Sequence, residues 1–146
     1  MFAHQKFRSS ASTIVAKAEA MHTGVTGGCA SSKTDSAMRS IDSSFRSLLG
    51  KIGRHSDFED TQLFRFFAEN VPATADQIRS LRADHTEKGL ESDALERIKT
   101  LRSAPTTAAA VSGGDDVAAA AAVASALEAY AASLNAHLER EERALV

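Results

Sequence analysis

The sequence predicts an all-α protein, an antiparallel up-down-up-down four-helix bundle occupying residues 1–146 as a single domain. Three observations predict it. Apolar residues recur at steps of three and four along four long stretches, the pattern of helices that share a core. Aromatics are scarce, Trp is absent and only two prolines occur, while Ala, Leu, Ser and Glu are plentiful, a balance that favours helix over sheet. The Gly, Pro and Ser clusters fall between the periodic stretches, and short connections make successive helices antiparallel neighbours.

The first helix is expected over about Phe2 to His22, with Phe7, Ala11, Ile14, Val15, Ala18 and Met21 inward. It ends in the Gly/Ser-rich run from Thr23 to Ser32. The second begins near Thr34 or Asp35, either a good N-cap, and runs to about Asn70, before the break at Val71-Pro72. Its seam reads Ile41, Phe45, Leu48, Ile52, His55, Glu59, Gln62, Phe66, and Phe58, Leu63, Phe64 and Phe67 are also read as core. The third covers roughly Thr74 to Ser103, with Ile78, Leu81, His85, Leu95, Ile98 and Leu101 inward. Gly89 is a weak point inside it, costing about 1 kcal/mol relative to Ala. Pro105 to Gly114 is the longest non-helical stretch. The fourth helix, capped by Asp115 or Asp116, reaches about Leu145 with the seam Val123, Leu127, Tyr130, Leu134, His137, Glu141, Leu145.

Composition excludes several function classes. A formal net charge of -2 and the lack of any Lys/Arg block argue against nucleic acid. The single Cys29 forms no internal disulfide, which suits a reducing, cytoplasmic compartment. Met1 to Arg8 lacks the apolar segment of a signal peptide, and Val117 to Ala126 is too short and weakly apolar to span a bilayer, so no membrane is expected.

What the seams leave unexplained is polar. His55/Glu59 and His137/Glu141 both read His-x-x-x-Glu, so each pair projects from one helical face, inward. With five His and ten Glu in the chain, composition alone gives such a pair only ~0.3 times. A carboxylate facing a dry core is costly unless a cation meets it. Depth along the bundle is an independent check. His4 lies 24 residues before the first loop's centre near Gly28, and His55 lies 27 after it. Glu59 lies 12 before Val71 and His85 14 after it; His85 lies 24 before Ala109 and His137 28 after it. His4, His55, His85 and His137 therefore fall in one layer within about a helical turn, and His22 does not. Four imidazoles and two carboxylates in one layer suit two divalent or trivalent ions, with iron or manganese fitting the mixed N/O set better than zinc.

The segment Arg54-His55-Ser56-Asp57-Phe58-Glu59-Asp60-Thr61-Gln62-Leu63-Phe64, with His137-Leu138-Glu139-Arg140-Glu141-Glu142, resembles the hemerythrin-like (HHE cation-binding) family, and the likeness spans nearly the whole chain. The resemblance implies an antiparallel four-helix bundle around a non-heme di-iron centre, two Fe ions bridged by oxygen and by two carboxylates, that binds O2, peroxide or a similar small molecule. It implies His4, His55, Glu59, His85, His137 and Glu141 as metal ligands. Ferritin-like proteins place Glu three residues before His and match less well. Hemerythrins proper have a second third-helix His where this chain has Gly89. That gap leaves more room at one iron and implies a more reactive site, with peroxide decomposition, iron-linked oxidation or oxidant sensing as its outcomes. Some members place the last carboxylate five residues after its His, at Glu142; the step of four favours Glu141, and Glu139 and Glu142 read as a solvated face.

A second resemblance points elsewhere. Asp84-His85-Thr86-Glu87-Lys88-Gly89 is similar to the His-x-x-Lys-Gly motif of histidine phosphotransfer domains, in which an exposed His85 would accept a phosphoryl group, Lys88 would supply charge and Gly89 would clear space for a partner.

Overall fold

A computed structural model describes residues 2–28, 31–103 and 113–145, and all of the described elements are helical. Helix α1 spans Phe2–Thr26 and α2 spans Ser31–Phe58; a π-helical turn over Glu59–Leu63 joins α2 to α3, Phe64–Asn70. A short 3-10 turn, Pro72–Thr74, leads into α4, Ala75–Thr86; α5 covers Gly89–Ser103 and α6 covers Gly113–Ala144. These pieces form four helical columns: α1, α2 with α3, α4 with α5, and α6. The first column packs on α2 and α6, and α5 packs on α6 and α2, so the columns surround a common interior.

Several boundaries differ from those expected. The first helix runs past His22 to Thr26, because Thr23 and Thr26 donate back to the carbonyls of Glu19 and His22 at 3.0 and 2.9 Å and hold the last turn. Gly28, at φ 77°, then takes the left-handed turn that favours glycine. The second helix starts at Ser31, ahead of Thr34, and the third is divided: Glu87 is extended (φ -79°, ψ 112°) and α5 restarts at Gly89. The weak point at Gly89 is thus a true break. The fourth helix starts at Gly113, two residues before Asp115. Cys29 and most of the Pro105–Gly114 stretch lie outside the described residues.

The core is divided too. A large apolar cluster joins Phe7, Ala11, Ile14, Ala18 and Met21 of α1 to Ile41, Phe45 and Leu48 of α2, Ile98 of α5, and Val123, Leu127 and Leu138 of α6. Val15 and Leu95 are partly buried against it. A smaller cluster holds Phe64, Ile78 and Leu81, with Leu145 against it. In the α2–α3, α4–α5 and α6 columns the chain passes from one cluster to the other through histidine or glutamate, and α1 brings His4 to the same level at its first turn, so a polar layer lies between two greasy ones. Outside that layer, Asp42 is the one other buried charge among the described residues; Arg46 donates to it at 2.8 Å, and Arg102 meets it from α5, tying α2 to α5 across the bundle.

On the second column the expected seam fails beyond Glu59. Phe66 is 57% exposed and Gln62 faces water, whereas Phe64 is fully buried; Phe58, which precedes the turn and is also expected in the core, is 51% exposed. The amide of Phe64 donates to the carbonyl of Glu59, five residues back, and this wider turn moves every later residue round the axis.

Val117–Ala126 is part of a longer apolar stretch than the sequence reading takes in. Asp116–Ala144 is long and apolar enough, by length and composition, to cross a bilayer. Here its inner residues Ala120, Val123, Leu127, Leu134 and Leu138 are packed into the core.

Candidate metal centre

The polar layer is built from one or two side chains of each column. His4 comes from the first turns of α1, one turn before Phe7. His55 ends α2, and Glu59 opens the π-turn, with Glu59 Oε1 3.1 Å from His55 Nε2. His85 closes α4, stacked on Phe64 at 5.7 Å between ring centres. His137 and Glu141 sit one turn apart on α6, with Nε2 and Oε1 2.7 Å apart. All six residues expected to share a layer are in it. His4, Glu59 and Glu141 are buried, the His85 side chain is 5% exposed, and His137 and His55 are only partly accessible.

The nitrogens and oxygens converge on two points. His4 and His55 face each other with Nε2 atoms 3.0 Å apart; His85 and His137 do the same at 3.2 Å. Two donors each about 2.1 Å from a common cation and at a right angle to it stand about 3.0 Å apart. The carboxylates lie between these pairs and serve both. Glu141 directs Oε2 to His4 Nε2 at 3.4 Å and Oε1 to His85 Nε2 at 3.3 Å. Glu59 directs Oε1 to His55 and Oε2 to His85, the latter at 3.6 Å. The donor atoms of His4, His55, Glu59 and Glu141 lie within 4.8 Å of one another, as do those of His85, His137 and Glu141.

Two of the carboxylate oxygens, Glu59 Oε2 and Glu141 Oε2, are buried without a hydrogen-bond partner. An unsatisfied buried carboxylate oxygen costs roughly 1–3 kcal/mol or more, so it marks a place where something cationic belongs. The donor set and the orphaned oxygens both fit metal ions.

Behind the imidazoles stands a ring of residues that the helical pattern did not single out. Nδ1 of His4 lies 3.1 Å from Glu142 Oε1, Nδ1 of His85 lies 3.1 Å from Asp60 Oδ1, and Nδ1 of His137 lies 3.0 Å from Asp84 Oδ2. A carboxylate only accepts, so each Nδ1 carries a proton and each Nε2 is turned inward. Each acid is held in turn by an arginine: Arg8 on Glu142 at 2.8 Å, Arg140 on Asp84 at 2.6 Å, and Arg82 on Asp60 at 3.8 Å. Glu142 is therefore no solvated face. It lies one residue past Glu141 and points to α1, where Arg8 and His4 meet it. Hydrogen bonding from Arg8, chiefly, lowers its carboxyl to about 2. The signal in the sequence was adjacency, since Asp60 follows Glu59, Asp84 precedes His85 and Glu142 follows Glu141.

The charges of the layer are strongly coupled. Burial works against ionisation of Glu141, yet hydrogen bonds from His137 and His85 outweigh it and hold this carboxyl far below the usual carboxylate range. Burial likewise works against protonated His85 and His137, but bonds to Glu141 raise both above 6.5, assisted by Asp60 for His85 and Asp84 for His137. With no cation bound, protons on His85 and His137 stabilise the fold fully below about pH 6.5, that share being lost as pH rises through their raised values. Cations must displace those protons, so apparent metal affinity at the His85/His137 end is expected to climb with pH up to and through the raised values of these two imidazoles and to level off above them, one proton leaving per imidazole that was charged. Titration of divalent cation into the metal-free chain at a series of pH values, with proton release recorded, checks this; a pH-independent affinity across that range overturns it.

The phosphotransfer reading does not survive this geometry. The His85 side chain is only 5% exposed and both of its nitrogens are engaged by carboxylates, whereas a phosphoryl acceptor must meet a partner at the surface.

A four-column helical bundle with imidazoles and carboxylates gathered in a buried layer defines a cation-binding helical protein. The family model of the hemerythrin HHE cation binding domain matches residues 3–146, and the chain belongs to that family. No curated protein and no solved structure matches it.

Proposed function

We propose that the chain is a single hemerythrin-like domain of up-down-up-down topology that holds two iron ions and binds O2, peroxide or a related small oxidant beside them, in the cytoplasm and without a nucleic-acid or membrane partner. One observation carries this reading: Glu59 and Glu141 each send one oxygen toward the His4/His55 pair and the other toward the His85/His137 side. Carboxylates so placed serve two cations at once.

His4 and His55 would hold one ion, His85 and His137 the other, with Glu59 and Glu141 shared. The donor set, imidazole with carboxylate and no thiolate, suits iron or manganese. Iron, when bound, supplies a redox-active, Lewis-acidic position for a small oxygen ligand. The chain does the rest. Glu59 and Glu141 neutralise charge; Glu142, Asp60 and Asp84 fix three imidazoles through Nδ1 and raise their basicity. Phe7, Phe64 and Leu138 keep bulk water from the layer.

Metal analysis of the purified chain is expected to give about two irons per chain with visible absorption that changes on adding peroxide. An oxygen electrode then separates outcomes: steady O2 evolution from added peroxide supports turnover, and a flat trace with iron present leaves binding or sensing. A chain that takes up no iron, aerobically or anaerobically, overturns the proposal.

A further inference from the structure

Beside the polar layer the structure holds a cavity of about 220 Å³ that lies between α2, the α4–α5 break and α6. It is lined by His85 and His137 but by neither His4 nor His55, so it opens on one end of the layer only. It lies at the division of the third column, where Glu87 turns out of helical geometry and α5 restarts at Gly89, and Glu87, Lys88 and Leu90 from this break form one of its sides.

The size and chemistry of this space specify an occupant. A cavity of about 150 Å³ takes benzene, so this one is far larger than a diatomic molecule requires. Ile52, Leu90 and Leu134 give it an apolar wall, while Tyr130 and Ser133 bring hydroxyls. The Tyr130 ring is held edge-on against Phe45, with centres 5.0 Å apart. Its charged rim is nearly self-compensated: Lys88 lies 3.5 Å from Glu91, Arg140 lies 2.6 Å from Asp84, and Glu87 adds one further acid. Lys88, Arg140, His85 and His137 are each already held by a carboxylate, so none is free to hold an anion, and the one acid left over, Glu87, is exposed to solvent and gives an organic cation little hold.

We propose that this cavity binds a neutral organic molecule of roughly seven to ten non-hydrogen atoms with one hydroxyl or hydroperoxyl group, the apolar body on Ile52, Leu90 and Leu134 and the oxygen turned toward Tyr130, Ser133 and the His85/His137 end. The inference deepens the function proposed above and rests on it for its purpose: the open end of the layer receives an organic ligand as well as a diatomic one. The binding itself needs no metal.

Phenol is the probe. Titrated into the metal-free protein and followed by NMR, it is expected to bind saturably, in the millimolar range natural to so small a ligand, with shifts at Leu90, Tyr130 and Leu134 and none at Phe7. Ser133 is exposed, so Ser133→Trp fills the cavity from its rim without disturbing the core; phenol affinity should fall at least about tenfold while metal content stays at the unsubstituted level. Leu90→Trp, also at an exposed position, fills it from the opposite wall if the first variant fails to fold. Absence of saturable shifts in the unsubstituted protein overturns the proposal, and so does equal affinity in either folded variant. Iron content measured on the same preparations separates the two readings, because iron without phenol binding removes the cavity alone, and phenol binding without iron removes the metal centre alone.

Discussion

Glu141→Gln is expected to empty both ends of the polar layer together, whereas Glu142→Gln, one residue on, should leave them occupied. The neutral amide keeps the shape of Glu141 but cannot neutralise a cation, and it sits where one side chain faces His4 with Oε2 and both His85 and His137 with Oε1. Changes to residues behind metal ligands cost about 10–100-fold in affinity; the loss of a shared carboxylate should exceed about 100-fold at each end. Glu142 touches the layer only through Nδ1 of His4, so its replacement belongs at the low end of that range, about tenfold, and at the His4/His55 end alone. Metal content after dialysis against a weak chelator reads both variants, with helix content by circular dichroism confirming that each is folded. If Glu141→Gln retains both ions, or the two substitutions act alike, Glu141 is not the shared carboxylate.

Why the layer was legible follows from the same residues. His55/Glu59 and His137/Glu141 each lie within a single helix, so a step of four fixes their common face without any tertiary knowledge. Depth counting then needed only loop centres, and an error of a few residues there still leaves four imidazoles within about one turn. The supporting ring was harder to see. Asp60, Asp84 and Glu142 are adjacent to candidate ligands in sequence, but a residue one position along a helix points about 100° away, and which neighbour it meets depends on the packing of another column. Only the fold shows that Glu142 reaches Arg8 and His4 on α1 and that Asp84 reaches His137 and Arg140 on α6. The break between α4 and α5 stood between the two cases. Gly89 marked a weak point, but a lone glycine costs only about 1 kcal/mol in a helix, too little to decide between a flaw and an end.

The π-turn was invisible to a regular period, and it governs the second large prediction. A uniform helix from Glu59 carries Gln62 and Phe66 inward, yet Phe64 is the residue found with no exposure, stacked on His85 and packed near Ile78 and Leu81. Phe64→Ala is therefore expected to destabilise the metal-free chain by about 3–5 kcal/mol, the cost of opening a cavity where a buried aromatic stood. At roughly 2–4 °C per kcal/mol for a domain of this size, its melting temperature should drop by about 10 °C. Phe66→Ala, at a position 57% exposed, should change stability by no more than about 0.5 kcal/mol. Urea unfolding of both variants without metal isolates packing from ligation. Comparable losses, or a larger one at Phe66, would mean that the helix runs on without the extra residue, and Glu59 would then be the last inward position on that column to be trusted. The expected order instead ties the widened turn to the centre: Glu59 opens the turn and faces His85 Nε2, Asp60 follows it and holds His85 Nδ1, and Phe64 closes it against the same ring. Phe64→Ala should consequently weaken metal binding at the His85/His137 end more than at the His4/His55 end, because it removes the stacking surface that keeps the His85 imidazole in plane.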